Sequence, residues 1–189
     1  ITVKNIGSDT KVDAMLSGDI DLAQGPDATA LNRVENNDDI NIVKVTGTRE
    51  NDFELNCHEG NPLSDKNLRL ALSYAVDRDV VAQVAGNGYS SPISTAFPPS
   101  VGYDSEDVNG QVYDLDKAKE YLAKAFPNGN AALDISVGAD RKTIAEMIQS
   151  QCKEIGLTIN IVELDSAGIS TTTTNGEHQS CLYGMGFNV

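Results

Sequence analysis

The chain has 189 residues, 28 of them acidic and 14 basic for a net charge of −14, and 40% are hydrophobic. That apolar share fills the core of one domain, and the acidic excess argues against nucleic acid or anionic membrane surfaces, whose binding needs clustered cations. No run of eighteen apolar residues is present, so no segment reads as a membrane-spanning helix.

The first residue is Ile1, not methionine, inside ITVKNI, which reads as a strand. Such a start is the expectation for a domain cut from a longer protein. Ser8 or Asp9 is placed to cap a helix with Val12, Met15 and Leu16 as its apolar stripe, and Gly18 supplies a left-handed stop. Residues 20–23 (IDLA) read as a buried strand. Pro26 and Asp27 start a short helix through Leu31 and Val34, and INIVKVT (40–46) alternates as a strand. Phe53 to Asn56 forms another short strand.

The middle of the chain is helical. Asp65 caps a helix with Leu68, Leu72, Ala75 and Val76 on one face, and Arg69 is placed to pair with that cap. Asp77 caps a second helix carrying Val80, Val81 and Val84, ended by Gly86 and Gly88. A long irregular stretch runs from Tyr89 to Val112, a length that is usually functional or lies across a surface. Asp114 or Asp116 then caps a helix through Leu122 and Ala125. Leu133 to Val137 is a strand. Residues 141–156 form a helix with Ile144, Ile148, Cys152 and Ile155 inward, stopped by Gly156. LTINIVEL alternates as a strand, the threonine-rich stretch 166–179 reads as a weak helix or loop, and residues 181–189 close the chain as a strand. Strands alternating with helices give an α/β fold with a mixed, mostly parallel sheet flanked by helices.

Reactive chemistry finds little support. The chain has two histidines, His58 and His178, and no G-x-S-x-G elbow. Cys57 and His58 are adjacent, which on a strand points them to opposite faces and spoils a dyad. Cys57, His58 and Glu59 form the one local donor cluster, without a second half at any usual spacing, so no metal site and no cofactor are expected. Neither a phosphate loop nor a G-x-G-x-x-G opening a helix occurs. The three cysteines, Cys57, Cys152 and Cys181, are scattered and odd in number; a single bridge with one free thiol is compatible with them. Cys152 lies on an apolar helix face and reads as a core residue. The chain is not expected to be an enzyme.

The segment from Glu54 to Ser100 carries Asn56, Pro62-Leu63, Asp65, Arg69, Ala71, Ala75, Asp77-Arg78, Gly88, Pro92 and Pro98-Pro99 in order. This resembles the signature region of the family 5 bacterial extracellular solute-binding proteins. Leu16 to Asp21, the stretch Tyr113 to Ala125, the passage Ile148 to Leu157, and Gly186-Phe187 in place of a usual Gly-Trp resemble further elements, so the likeness covers nearly the whole chain.

The resemblance implies a periplasmic-binding-protein-like fold in which residues 1–189 are a single α/β lobe of the C-terminal type. A first lobe of the same protein would close over cargo, and permease subunits of an ABC importer would receive it. It implies an oligopeptide ligand, an extracytoplasmic location (periplasmic, or lipid-anchored on the outer face of the cytoplasmic membrane) and a monomer. In the family an acidic residue just after the Gly-Trp strand often holds the peptide's amino group, and this chain stops before that position. Ligand contacts are expected at strand ends facing the other lobe: Phe53, Glu54, Asn56 and His58 at one, and Gly186, Phe187 and Asn188 at another. Main-chain pairing would hold the peptide, and Gly184 and Gly186 suit the approach of a second backbone. A nickel chelate or sugar on the same fold, or a Cys/Ser hydrolase, are the alternative readings.

Overall fold

Asp65 does what its sequence position predicts: its carboxylate accepts the Asn67 N–H at 2.7 Å and starts helix α2 (Lys66–Ala75). In a computed structural model, which describes residues 1–95, 97–102, 110 and 112–187, the same logic sets most helices. Asp77 accepts from Val80 N at the start of α3 (Arg78–Ala85). Asp114 accepts from Lys117 N at the start of α4 (Leu115–Ala125). Gly156 takes φ +87° after α5 (Lys142–Glu154), a stop that side chains with a Cβ resist. Arg69 departs from expectation. Its guanidinium donates to the carbonyls of Leu63 and Ser64 at 2.7 and 3.0 Å, because they face it across the turn before α2 while Asp65 is taken by the helix end.

The chain divides into two compact units, residues 1–46 with 82–91, and residues 47–81 with 92–189. The larger unit holds a four-stranded sheet in the order β1 (Arg49–Leu55), β4 (Ser180–Gly186), β2 (Ala132–Val137), β3 (Thr158–Glu163). β2 is parallel to both β3 and β4, and β1 is antiparallel to β4. The sheet is therefore mixed and mostly parallel, as expected.

Alternation decides its faces. Phe53, Leu55, Leu182, Leu133, Ile135, Val137, Ile159 and Ile161 point to one side, where α2, α4 and α5 supply Leu68, Ala71, Leu72, Ala118, Leu122, Ile148 and Cys152. Tyr74 and Tyr121 stack across α2 and α4 at 5.7 Å between ring centres. The other side carries Glu50, Asp52 and Glu54 of β1 beside Met185, Tyr183 and Cys181 of β4. β3 returns to β4 past β2 by way of α6 (Ser166–Thr174), a crossover opposite in direction to β2–α5–β3, and the right-handed rule puts α6 on this second face.

The smaller unit differs most from its sequence reading. None of residues 1–6, 20–23 or 40–46 forms a strand. Ile1, Val3, Leu22, Val43 and Val45 stay exposed, with Val3 at 90% and Val45 at 82%, while Ile6, Ile20, Ile40 and Ile42 are half-buried; alternation makes a strand only where a second backbone pairs with it. Helix α1 (Lys11–Leu16) begins at Thr10, not Ser8 or Asp9, and buries Val12, while Leu16 stays exposed. Asp27 caps a 3-10 helix over Ala28–Arg33 by accepting from Thr29 N and Oγ1. Polar contacts complete the unit: Tyr89 donates to Glu35 at 2.6 Å, and Lys44 lies 4.0 Å over the Tyr89 ring.

All three thiols are free. Cys57 is exposed. Cys152 is buried in the core as expected, and burial pushes its thiol up to about 12.

Candidate functional site

β1 runs against β4, so Arg49 pairs with Gly186 while Leu55 pairs with Ser180. This separates the expected contact residues into two groups at opposite ends of the sheet, roughly 20 Å apart at about 3.3 Å per residue. Gly186 and Phe187 lie at the end where β2, β3 and β4 finish. Glu54, Asn56 and His58 lie where those strands begin. Asn188 is outside the described residues. Phe53 turns its ring into the hydrophobic core.

The second end is built mainly for structure. Asn56 is buried, and its Nδ2 donates to the carbonyls of Gly176 at 3.1 Å and His178 at 2.8 Å. Its Oδ1 accepts from His58 N at 3.1 Å. One side chain thus ties the end of β1 to the segment before β4, and none of its polar capacity faces outward. Glu54, His58, Asn175 and His178 line a cleft of about 430 Å³ there. His178 was not anticipated. It is buried, its Nδ1 is 3.4 Å from Thr172 O, and its Nε2 stands 3.8 Å from Glu54 Oε1. Among the described residues no three His, Cys, Asp or Glu side chains are grouped so as to hold a metal ion.

The first end has the features of a crevice. β2 pairs with β4 only over Ser180–Leu182, and its strand ends at Val137. β4 continues for four more residues, Tyr183 to Gly186, with β1 on one side and, among the described residues, no ladder partner on the other. A free strand edge beyond the carboxyl ends of parallel strands is where open α/β sheets take ligands, and its backbone groups accept an added strand. The Phe187 N–H donates to Thr48 O at 3.1 Å, which fixes the end of the ladder. Phe97 packs edge-on against the Phe187 ring at 5.2 Å, and Ser100 Oγ donates to Gly47 O at 2.7 Å.

Arg141, from the loop after β2, reaches this end. It donates through Nε to Asn51 Oδ1 at 2.8 Å and pairs with Asp140 at 2.6 Å. A Cβ on Gly184 would overlap the Arg141 guanidinium, so Gly184 makes room for that side chain. A Cβ on Gly186 would stand 3.5 Å from Arg49, an ordinary contact. Sequence reasoning missed Thr48, Arg49 and Arg141 because R-E-N-D lacks the apolar alternation and β-branched residues that mark a strand, and β1 was read as starting at Phe53.

The family model for bacterial extracellular solute-binding proteins, family 5 Middle, matches residues 1–189. A dipeptide-binding protein of Escherichia coli is 25% identical over 166 residues, covering 84% of this chain and 31% of that protein. Heme-binding protein A of Haemophilus influenzae is 23% identical over 182 residues, covering 93% of this chain and 33% of that one. The chain thus spans about a third of the length of the curated relatives it matches. Among solved structures, the ABC transporter-associated periplasmic binding protein DppA of Helicobacter pylori, in complex with peptide STSA, superposes with a TM-score of 0.85 at 26% identity, over 95% of this chain and 35% of that one.

Proposed function

Because the chain belongs to the family 5 bacterial extracellular solute-binding proteins, we propose that it is one lobe of the two-lobed substrate-binding component of an ABC importer. In this reading the protein captures oligopeptides between its lobes, changes no bond in them and presents them to the permease. The protein works outside the cytoplasm, in the periplasm or lipid-anchored at the outer face of the membrane. No helix among the described residues is long and apolar enough to cross a bilayer. Closure of the first lobe about a hinge supplies the rest of the enclosing surface, so this lobe alone binds weakly.

One observation carries the choice of peptide: the edge of Tyr183–Gly186 away from β1, at the carboxyl end of the sheet, which has no ladder partner among the described residues. A peptide laid along it gains main-chain hydrogen bonds that do not depend on its side chains. Of the expected contact residues, Gly186 and Phe187 belong to that end, and Thr48 and Arg49 join them; Asn188 lies outside the described residues. Glu54, Asn56 and His58 belong to the far end and support the fold there.

Calorimetry on the full-length protein tests this, with peptides of about two to five residues beside hemin and a nickel–histidine chelate. Peptides are expected to bind, and N-methylation of the peptide amides that pair with β4 is expected to weaken binding by about tenfold or more. Binding of hemin or the chelate without any peptide would overturn the reading, as would indifference to N-methylation.

A further inference from the structure

Glu50 and Asp52 stand two residues apart on β1, on the face away from the core and across from Met185 and Tyr183. Glu50 is 8% exposed, and both of its carboxylate oxygens are closed off and meet no hydrogen-bond donor. Asp52 Oδ2 is in the same position. None of the ion pairs among the described residues includes either side chain. The scaffold therefore spends two carboxyls on a strand face and gives them no partner but each other. Carboxylates in that state are costly, and strand positions disfavour Glu and Asp in any case. Among the described residues, the one other buried side-chain polar atom without a hydrogen-bond partner is His178 Nε2, which stands 3.8 Å from Glu54 Oε1.

The pair also lies where a ligand would pass. Glu50 follows Arg49, the partner of Gly186, at the end where β4 leaves its edge open. Its cross-strand neighbours Met185 and Tyr183 are 41% and 42% exposed. Burial, then the charge of Asp52, push the Glu50 carboxyl above its ordinary range. Burial pushes Asp52 up as well, opposed by the contact with Glu50 and aided by the charge of Glu54. A cation placed against two such carboxyls favours their ionised form.

We propose that Glu50 and Asp52 form a cation subsite of the crevice, which takes the ammonium or guanidinium group of a bound ligand and so selects peptides by positive charge. The cation supplies N–H donors that the fold does not give these oxygens. The subsite rests on the peptide reading above.

The test is calorimetry on the full-length protein with Ala-Ala-Ala, its N-acetylated form, Ala-Lys-Ala and Ala-Glu-Ala, comparing wild type with Glu50→Gln and Asp52→Asn. Wild type is expected to favour a positively charged peptide over its uncharged or acidic counterpart by about tenfold or more. Each substitution should erase most of that preference. A lost preference for Ala-Lys-Ala assigns the subsite to a side chain, and a lost preference for the free over the acetylated terminus assigns it to the terminal amine. Peptide binding that is blind to charge, or a preference that survives both substitutions, overturns the subsite alone. Wild type that binds none of the four overturns the peptide reading with it.

Discussion

Asn56 shows how a residue at a strand end serves the fold. Its side chain makes three hydrogen bonds, to Gly176 O, His178 O and His58 N, and a truncation leaves buried carbonyls without donors. Asn56→Ala is expected to cost about 2 kcal/mol or more in denaturant unfolding; a change within experimental error would contradict the clamp. Glu50 gives a pH signature. Its folded value is raised, so its contribution to stability is complete below the ordinary Glu value of 4.5 and is lost as pH rises through the raised value. Glu50→Gln removes that loss. The stability of the variant relative to wild type should therefore rise as pH increases from the ordinary Glu value of 4.5 through the raised one, as measured by denaturant midpoints at a series of pH values. A pH-independent difference would contradict the burial of this carboxyl.

At the scale of elements, the helices and inner strands were legible because their signals are local. Caps at Asp65, Asp77 and Asp114, the stop at Gly156 and the 3.6-residue apolar stripes all act within one or two turns. Asp65→Ala should lower stability by about 1 kcal/mol in thermal or denaturant melts, and no change would mean that the Asn67 N–H finds another acceptor. What the sequence did not disclose is long-range. The pairing direction of β1 against β4 joins residues more than 120 positions apart, and it alone decides that Phe53–His58 and Gly186–Phe187 sit at opposite ends. Register of this kind is set by the partner strand, not by the strand's own pattern. The same reason explains the strands expected at 1–6, 20–23 and 40–46: alternation was present, but a pairing backbone was not.

For the whole molecule, the two units differ in how much apolar surface they bury. Only Val12 and Val34 are buried hydrophobics in the smaller unit among the described residues, whereas the larger unit holds a continuous core from Leu63 to Leu182. Local stability follows buried apolar contact. Limited proteolysis of the 189-residue chain should cut first within residues 1–46 and leave a resistant fragment carrying the sheet, identified by mass spectrometry. First cuts within the sheet or α5 would contradict this order.

The main claim is that ligand is taken at the carboxyl end of the sheet, along the open edge of β4. Hydrogen exchange of the full-length protein with and without bound peptide reads this directly. The amides of residues 183–187 should gain protection on binding, while those of residues 54–58 and 176–178 stay unchanged. Protection confined to 54–58 and 176–178 would place the ligand in the cleft at the other end and contradict the account.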